Sequence, residues 1–260
     1  MKIFVISDIH GSLSAFNKAM DAFHREGAEL LVICGDYLNH GPRNDIPDGY
    51  DTKGLAAALN SVKHLVVGVR GNCDSEVDQM MLEFPVLAPY TNIVVPGATG
   101  TKGSAGNVAG NGGSFDADAT CGGAEKCYGA FRRIFVHHGH LMTAQEAARL
   151  NPPGTIIVSG HTHVPVLERF SLAAESASCA AGSQGEKTPS SGEKCATDYA
   201  AKTQAAGAES AAEYIALNPG SVSIPKGGSE PGYAVIAVAA HSTEIKLCTL
   251  DGSVIKTLSC

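Results

Sequence analysis

Short apolar runs and amphipathic stretches alternate along the first third of the chain. The apolar runs are rich in Val, Ile and Leu, and each ends in a polar turn, which is typical of buried strands. The stretch after the first run carries apolar residues at helical spacing and stops before Gly27, a residue type that commonly closes helices. The pattern predicts strands at residues 2–7, 30–34 and 64–69, and helices at residues 12–25, 51–62 and 75–82.

The second half of the chain is richer in predicted strands than in predicted helices. Strands that alternate with helices favour a parallel or mixed sheet that those helices cover. The predicted fold class is therefore α/β, with two mixed β-sheets packed as a sandwich and flanked by helices. Apolar and β-branched runs predict the later strands at residues 134–138, 155–160, 164–170, 213–218, 233–239 and 244–250.

Two segments interrupt this alternation. Residues 97–131 are rich in glycine and residues 172–212 in alanine, and neither shows convincing apolar periodicity. We interpret both as flexible loops inserted into a single domain that spans residues 1–260, with room for a helical stretch at residues 199–212. The inserts contain cysteines for which unpaired surface thiols are a simpler interpretation than a metal clip or a disulfide: Cys121, Cys127, Cys179 and Cys195.

Charge and cysteine content narrow the classes of partner. The net charge of -7 disfavours binding to extended nucleic acid, which requires clustered Lys and Arg, but a bound metal could attract a small phosphorylated substrate. No apolar run approaches transmembrane length, and Asp8 interrupts the first run too early for a signal peptide. The eight cysteines show no CxxC spacing, so we expect reduced thiols in a cytoplasmic protein with no membrane partner. The sequence leaves a homo-oligomer open.

Polar motifs with metal-ligand chemistry directly follow predicted strands. In open α/β sheets, ligands gather outside the carboxyl ends of the strands, so side chains on these motifs can converge at one rim. Any one motif could be an ordinary turn, but five such loops together favour a shared site. The motifs are Asp8-Ile9-His10, Gly35-Asp36, Gly71-Asn72-Cys73-Asp74, His138-Gly139-His140 and Gly160-His161-Thr162-His163.

The residue types in these motifs indicate bound divalent metal. Asp and Asn supply oxygen ligands and His supplies nitrogen, a mixture that suits Mn, Fe, Zn or Ni better than metals that seek thiolates. Two ions a few ångströms apart need a carboxylate that bridges them. Asp36 is the predicted bridge, because the neighbouring Gly35 lets the backbone come close.

In this order, the motifs resemble those of the calcineurin-like metallophosphoesterase superfamily. The stretches SDIHGSL, GDYLNHGPRN, VRGNCDSEVDQM, HHGHL, SGHTHVPV and NPGSVSIPKGG are similar to those of its YfcE-like bacterial phosphodiesterases. The resemblance implies the metallophosphoesterase fold and two divalent metal ions, with Mn as the expected metal and Ni, Co, Fe or Zn as alternatives. It implies that Asp8, His10 and His163 hold one ion, that Asn72, His138 and His161 hold the other, and that Asp36 bridges them.

The same resemblance marks residues that would contact the substrate. Asn39, His40 and Arg43 match the loop after the second strand in the YfcE-like branch, and are candidates to contact the phosphate or its leaving group. Cys73 stands where the wider superfamily has a His near the leaving group, and a thiol is a poorer proton donor than an imidazole at neutral pH. His140 and His40 are then the candidate donors.

The predicted reaction is metal-assisted hydrolysis of a phosphodiester, in which a hydroxide that bridges the two ions attacks phosphorus in line with the leaving group. Two alternatives stay open: a phosphomonoesterase acting on a small phosphorylated metabolite or nucleotide, and a non-catalytic protein-interaction scaffold on the same fold. A scaffold is expected to have lost some ligands, whereas this chain has the full set. A Rossmann or P-loop nucleotide-binding site is excluded, because the first strand is not followed by GxGxxG or GK[ST]. A Ser hydrolase is excluded, because no strand leads into GxSxG.

Overall fold

The computed structural model describes residues 1–96, 131–172, 211–240 and 242–260. The predicted inserts, their cysteines and the proposed helical stretch at residues 199–212 lie almost wholly outside the described residues. Both predicted inserts are slightly too wide, since Phe131 begins a strand, Leu172 ends one and Ala212 begins the next.

The described residues form eleven strands, four α-helices and one 3₁₀ turn at Lys63–Leu65. Among the described helices, none is long and apolar enough to cross a membrane. The strands are β1 (Lys2–Ile6), β2 (Leu30–Ile33), β3 (Val66–Gly68), β4 (Tyr90–Pro96), β5 (Phe131–His137), β6 (Ile156–Val158), β7 (Val166–Leu172), β8 (Ala212–Asn218), β9 (Gly232–Val238), β10 (Thr243–Thr249) and β11 (Val254–Ser259). The helices are α1 (Leu13–Glu26), α2 (Thr52–Ser61), α3 (Glu76–Met81) and α4 (Ala144–Arg149).

The strands form two sheets, as predicted. One sheet has six strands in the order β11-β10-β9-β1-β2-β3, and the other has five in the order β4-β5-β6-β8-β7. β1, β2 and β3 are parallel to one another, as are β5, β6 and β8, whereas the remaining neighbours are antiparallel. Both sheets are therefore mixed, and each contains a run of three parallel strands.

Strand β1 lies in the middle of the molecule and is buried on both faces. Ile3 and Val5 face the second sheet and share a core with apolar residues of β5, β6 and β8. Phe4 and Ile6 point the other way, because successive side chains of a strand alternate, and they pack with the helices that cover the first sheet. A smaller core lies between α4 and the outer face of the second sheet.

Helix α1 covers the first sheet and begins and ends where its sequence predicts. The hydroxyl of Ser12 caps its start by accepting the N–H of Ala15, and Gly27 closes it in the left-handed conformation at φ 62°. Its buried face includes Phe16 and Phe23, which pack on β1. The helix therefore starts directly after the first polar motif and fixes the position of that motif against the sheet.

The structure departs from the sequence prediction in short or exposed elements. β4, α4 and β11 lack a clear apolar run: β11 is almost fully exposed, β4 is exposed at alternate positions, and α4 has six residues and buries only alanines. The strand predicted at 64–69 instead begins with the 3₁₀ turn, which leaves only Val66–Gly68 to pair with β2. β7 begins at Val166, after Pro165, which lacks the N–H that a ladder needs.

Phe4 is the aromatic centre of the core between β1 and the helices. Its ring stacks on Tyr233 at a centroid distance of 4.5 Å and meets Phe23 edge-on at 5.7 Å. We expect Phe4→Ala to lower the free energy of unfolding by about 3–5 kcal/mol, measured by chemical denaturation, because it leaves a cavity at a fully buried position. Val254→Ala, on exposed β11, should change it by less than about 0.5 kcal/mol. Equal effects of the two substitutions would contradict this description of the core.

Candidate metal centre

The polar motifs meet where the carboxyl ends of the parallel strands of both sheets converge. The backbone N–H of His161, after β6, donates to Asp8 Oδ2, after β1, at 3.0 Å. The imidazole Nδ1 of His138, after β5, donates to the carbonyl of Cys34, after β2, at 2.6 Å. The two sheets are thus joined across this rim by side chains of the predicted site.

Three groups of side chains at this rim place their ligand atoms within 4.8 Å of one another and could hold a metal ion. Asp8 and Asp36 are almost fully buried in them, at 0% and 1% exposure. Two groups also contain His10, so the three form one continuous cluster. The groups are Asp8, His10 and His163; His10, Asp36 and Cys73; and Asp8, Asp36 and His138.

His10 and His163 point the same ring nitrogen at a common point. Each donates its Nδ1–H to a backbone carbonyl, that of Asn39 at 2.8 Å and that of Ile224 at 2.6 Å. Since a carbonyl can only accept, the Nε2 of each neutral ring carries a lone pair, and the two Nε2 atoms face each other at 3.2 Å. Fixing Nδ1 in this way is how proteins orient histidines that bind metals.

His138 and Asn72 place a second pair of ligand atoms beside Asp36. The Nε2 of His138 lies 3.0 Å from Asn72 Oδ1 and 3.4 Å from Asp36 Oδ2. The same Asp36 oxygen lies 3.6 Å from the Nε2 of His10. Asp36 therefore stands between the two histidine groups, in the position that a bridging carboxylate would need.

A buried carboxylate oxygen without a partner among the described residues indicates whether the cluster fits a cation. Asp8 Oδ1 is buried without any hydrogen-bond partner, and burial of an unpaired carboxylate oxygen is costly. It lies 3.3 Å from the Nε2 of His163 and 3.7 Å from that of His10. Lone pairs and carboxylate oxygens that converge in this way favour divalent cations with oxygen and nitrogen ligands.

The remaining predicted residues lie at different distances from the cluster. His161 is half-buried with its ring 5.2 Å from that of His138, and His140 lies beside both, at ring distances of 5.2 Å and 6.2 Å. Arg43 lines the cavity over the cluster. The ring of His40 instead packs edge-on against Tyr50. The roles of these side chains stay predictions.

Backbone strain in the described residues is concentrated in this cluster. Five non-glycine residues there adopt a positive φ, between 50° and 68°, and all five are predicted metal ligands. Such conformations cost free energy for residues with a Cβ and persist only where the surrounding structure enforces them. They are Asp8, His10, Asp36, His161 and His163.

Asp74 supports the cluster from behind without facing it. Its buried carboxylate accepts the backbone N–H groups of Asp36, Tyr37 and Gly71 at 2.6–2.8 Å. Burial and the charge of Asp36 raise its pKa to about 7. A Cβ added at Gly71 would lie 2.1 Å from Asp36 Oδ1, so only glycine lets the two strand ends approach. The sequence motif contained Asp74, but its supporting position depends on the fold.

The loop after β8 supports Asp8 in a similar way. The hydroxyls of Ser221 and Ser223 both donate to the backbone carbonyl of Asp8, at 2.7 and 3.0 Å. The amide of Asn218 donates to the carbonyl of Gly160 at 2.7 Å and so fixes the loop that carries His161. No sequence signal other than the family resemblance of this loop connected it to the strained residues.

Electrostatics in the cluster favour an ionised Asp36 and a protonated His138. Burial opposes the charge of Asp36, but the contact with His138, the backbone N–H of Cys73 and the charge of His10 together outweigh burial and lower its pKa to about 2. Burial likewise opposes the charged form of His138, yet the hydrogen bond to Asp36 and the charge of Asp8 raise its pKa to about 9. Burial and the nearby Asp36 raise the pKa of the Cys73 thiol to about 12. Cys73 therefore keeps its proton at neutral pH.

An open cavity of about 620 Å³ lies over the cluster. Its lining includes Asp36, Asn72 and the two histidines of the last motif, together with residues of the loops after β2 and β8. The lining residues are Asp36, Asn39, Gly41, Pro42, Arg43, Asn44, Asn72, Cys73, His161, His163 and Lys226. The cavity is large enough for a small phosphorylated molecule to reach the cluster.

Comparison with known proteins agrees with this geometry. Residues 1–241 match the profile of the calcineurin-like phosphoesterase superfamily domain. The chain is 35% identical over 236 residues to Phosphodiesterase YfcE of Escherichia coli strain K12, which covers 91% of this chain and 87% of that protein. The structure also resembles the solved structure of Yfce, a phosphoesterase from E. coli, with a TM-score of 0.60 and 32% sequence identity. That match covers 99% of this chain and 98% of the Yfce chain. These findings confirm the resemblance that the motifs carry.

Metal binding should release protons from His138. Its pKa of about 9 lies above the ordinary 6.5, so metal-free protein holds this proton at neutral pH and loses it as the pH rises through about 9. Because a metal needs the neutral ring, we expect the affinity for Mn²⁺ to rise by up to about tenfold per unit from pH 7 to pH 9. Calorimetry in buffers of different ionisation enthalpy counts the protons released. His64→Gln, at an exposed position, is the control, and an affinity that stays constant over this range would contradict the expectation.

Proposed function

The chain belongs to the calcineurin-like phosphoesterase superfamily, and we propose that it is a metal-dependent phosphodiesterase with a binuclear centre at the carboxyl ends of β1, β2, β3, β5 and β6. The observation that carries this proposal is the buried cluster in which Asp36 lies between His10 and His138. A relative 35% identical to this chain is named a phosphodiesterase, which supports a diester substrate over a monoester. The retained ligand set disfavours a scaffold that has lost catalysis.

Seven side chains are proposed to hold two divalent ions. Their mixture of carboxylate, amide and imidazole supports manganese, with Ni, Co, Fe or Zn as alternatives. Asp36 is the proposed bridge, because one of its oxygens lies within 4 Å of the Nε2 atoms of both His10 and His138. The proposed ligands are Asp8, His10 and His163 for one ion and Asn72, His138 and His161 for the other, in addition to Asp36.

In the proposed reaction, backbone groups of the chain orient the side chains that would bind the metal ions. Bound divalent ions supply an acidified water and offset the negative charge of the phosphate oxygens. The backbone carbonyls of Cys34, Asn39 and Ile224 hold three imidazoles in place, so their Nε2 atoms need no rearrangement when a ligand arrives. Arg43, which lines the cavity, is proposed to contact the substrate there.

Few groups at the cluster can protonate a leaving group at neutral pH. Burial and the charge of Asp36 raise the pKa of the Cys73 thiol to about 12, so it gives up its proton poorly. Burial and the neighbouring His138 lower the pKa of His140, which favours the neutral ring and makes it a poor proton donor. We therefore propose that the enzyme acts best on diesters whose leaving group is itself acidic, and that His140 orients rather than protonates it.

The proposal includes a cytoplasmic location, a single domain over residues 1–260 and a small phosphorylated substrate. The four cysteines in the described part of the chain are free thiols, which supports a reducing compartment. The alignment with the bacterial relative over 91% of this chain and the family match over residues 1–241 support one domain. The open cavity over the cluster supports a small substrate.

Metal reconstitution tests the proposed reaction. Metal-stripped protein should regain hydrolysis of bis(4-nitrophenyl) phosphate when Mn²⁺, Ni²⁺, Co²⁺, Fe²⁺ or Zn²⁺ is added singly, and should hydrolyse 4-nitrophenyl phosphate more slowly. Release of 4-nitrophenol measures both rates. Faster turnover of the monoester would contradict the proposed phosphodiesterase and favour the phosphomonoesterase. No hydrolysis with any metal, in folded protein that binds two ions, would favour the scaffold.

Removing the charge of the proposed bridge should abolish activity. We expect Asp36→Asn to lower kcat/KM for the aryl diester by at least about 100-fold, which is the upper range for groups that merely support a metal ligand. Calorimetry should show weaker metal binding, with folding checked by circular dichroism. Asp21→Asn removes the same charge from the exposed face of α1 and should leave the rate unchanged. Full activity of Asp36→Asn would rule out a bridging carboxylate.

A further inference from the structure

Two cationic side chains stand on the wall of the cavity above the cluster. Arg43 belongs to the loop after β2, and Lys226 belongs to the loop between β8 and β9. They are the cationic residues among those that line this cavity, and Asp36 on its floor is the only carboxylate among them. The chain as a whole has a net charge of -7, so this wall is a positive region on an acidic protein.

Lys226 is held over the cavity by contacts to both loops. Its Nζ donates to Asn44 Oδ1 at 3.2 Å, and the amide of Asn44 donates in turn to the carbonyl of His40 at 2.8 Å. Its backbone N–H donates to the carbonyl of His163 at 3.1 Å. The residue is therefore joined directly to a proposed metal ligand and to the loop that carries Arg43, which sets the position of its charge.

The charges of these two residues are not used within the described part of the chain. Neither Arg43 nor Lys226 forms an ion pair there, although other lysines and arginines of the same part do. The contact of Lys226 with Asn44 is to a neutral amide and uses one of the three donors of the ammonium group. Both cations thus keep donors free for an anion in the cavity.

We propose that Arg43 and Lys226 bind a second phosphate group of the substrate, beside the phosphate that is hydrolysed. This inference rests on the proposed phosphodiesterase activity and narrows it to diesters with a further phosphate on one ester arm. A dianionic phosphate matches two cations, and the planar guanidinium can donate to two of its oxygens at once. Water cleaves one P–O bond of the diester and yields an alcohol and a phosphomonoester, and the second phosphate stays intact.

A matched pair of substrates tests this inference. Thymidine 5′-(4-nitrophenyl phosphate) and its 3′-phosphorylated counterpart release the same phenol and differ only in the second phosphate. We expect wild-type protein with Mn²⁺ to prefer the 3′-phosphorylated ester, and Lys226→Gln to reduce that preference roughly tenfold, mainly through KM, as expected when a charged hydrogen bond is lost. Lys256→Gln, on the exposed strand β11, removes the same charge and should leave the preference unchanged.

Binding gives a second measurement that does not depend on turnover. Wild-type protein should bind thymidine 3′,5′-bisphosphate more tightly than thymidine 5′-monophosphate in calorimetry, and Lys226→Gln should reduce this difference. Equal rates and equal affinities for the members of each pair, or a preference that Lys226→Gln leaves intact, would overturn the inference. An equal preference for an ester that carries a 3′-carboxymethyl group instead of the 3′-phosphate would overturn the specificity for phosphate. The site would then bind anions in general. If neither ester is hydrolysed with any metal, the proposed phosphodiesterase fails, and the binding difference still decides whether Lys226 holds a second phosphate.

Discussion

Burial of the Asp36 carboxylate between two sheets is the constraint on which the other features of the site depend. One of its oxygens lies within 4 Å of His10 and His138, and the other accepts the backbone N–H of Cys73 at 2.8 Å. A buried charge of this kind is stable only where hydrogen bonds and cations surround it. The imidazoles of His10 and His138 and the backbone N–H of Cys73 meet that requirement, and they follow three different strands, β1, β5 and β3. The proposed metal ions would meet it as well.

The strained backbone of the site is maintained by a surrounding shell of hydrogen bonds. Asp74 holds the backbone of Asp36, and the hydroxyls of Ser221 and Ser223 hold that of Asp8. These contacts connect distant parts of the chain, so the surrounding fold maintains the strained conformations of the cluster. Stability of the core and geometry of the site are therefore linked: the parallel strands that bury Val5 also place the ligands that follow them.

The distribution of charge connects the site with the substrate that we propose for it. The protein is acidic overall, yet the wall above the cluster carries Arg43 and Lys226. The two cations equip the cavity to bind anions. The Cys73 thiol, with its raised pKa, is a poor proton donor for a leaving group. The proposed enzyme would therefore select substrates by their negative charge and by the acidity of the leaving group.

The sequence by itself determined the fold class, the long buried strands and the composition of the cluster. Strand β1 is a continuous apolar run, and helix α1 has strong apolar periodicity and clear caps. The polar motifs directly follow the strands, so their convergence could be expected from the parallel arrangement alone. Exposed β11 and the short α4 escaped prediction, because their residues make few apolar contacts and leave no periodic signal. Only the tertiary structure decided which nitrogen each imidazole presents, that the strained residues coincide with predicted ligands, and which contacts Asp74, Ser221 and Lys226 make at the site. These properties arise from contacts between residues far apart in the chain, which local sequence patterns do not encode.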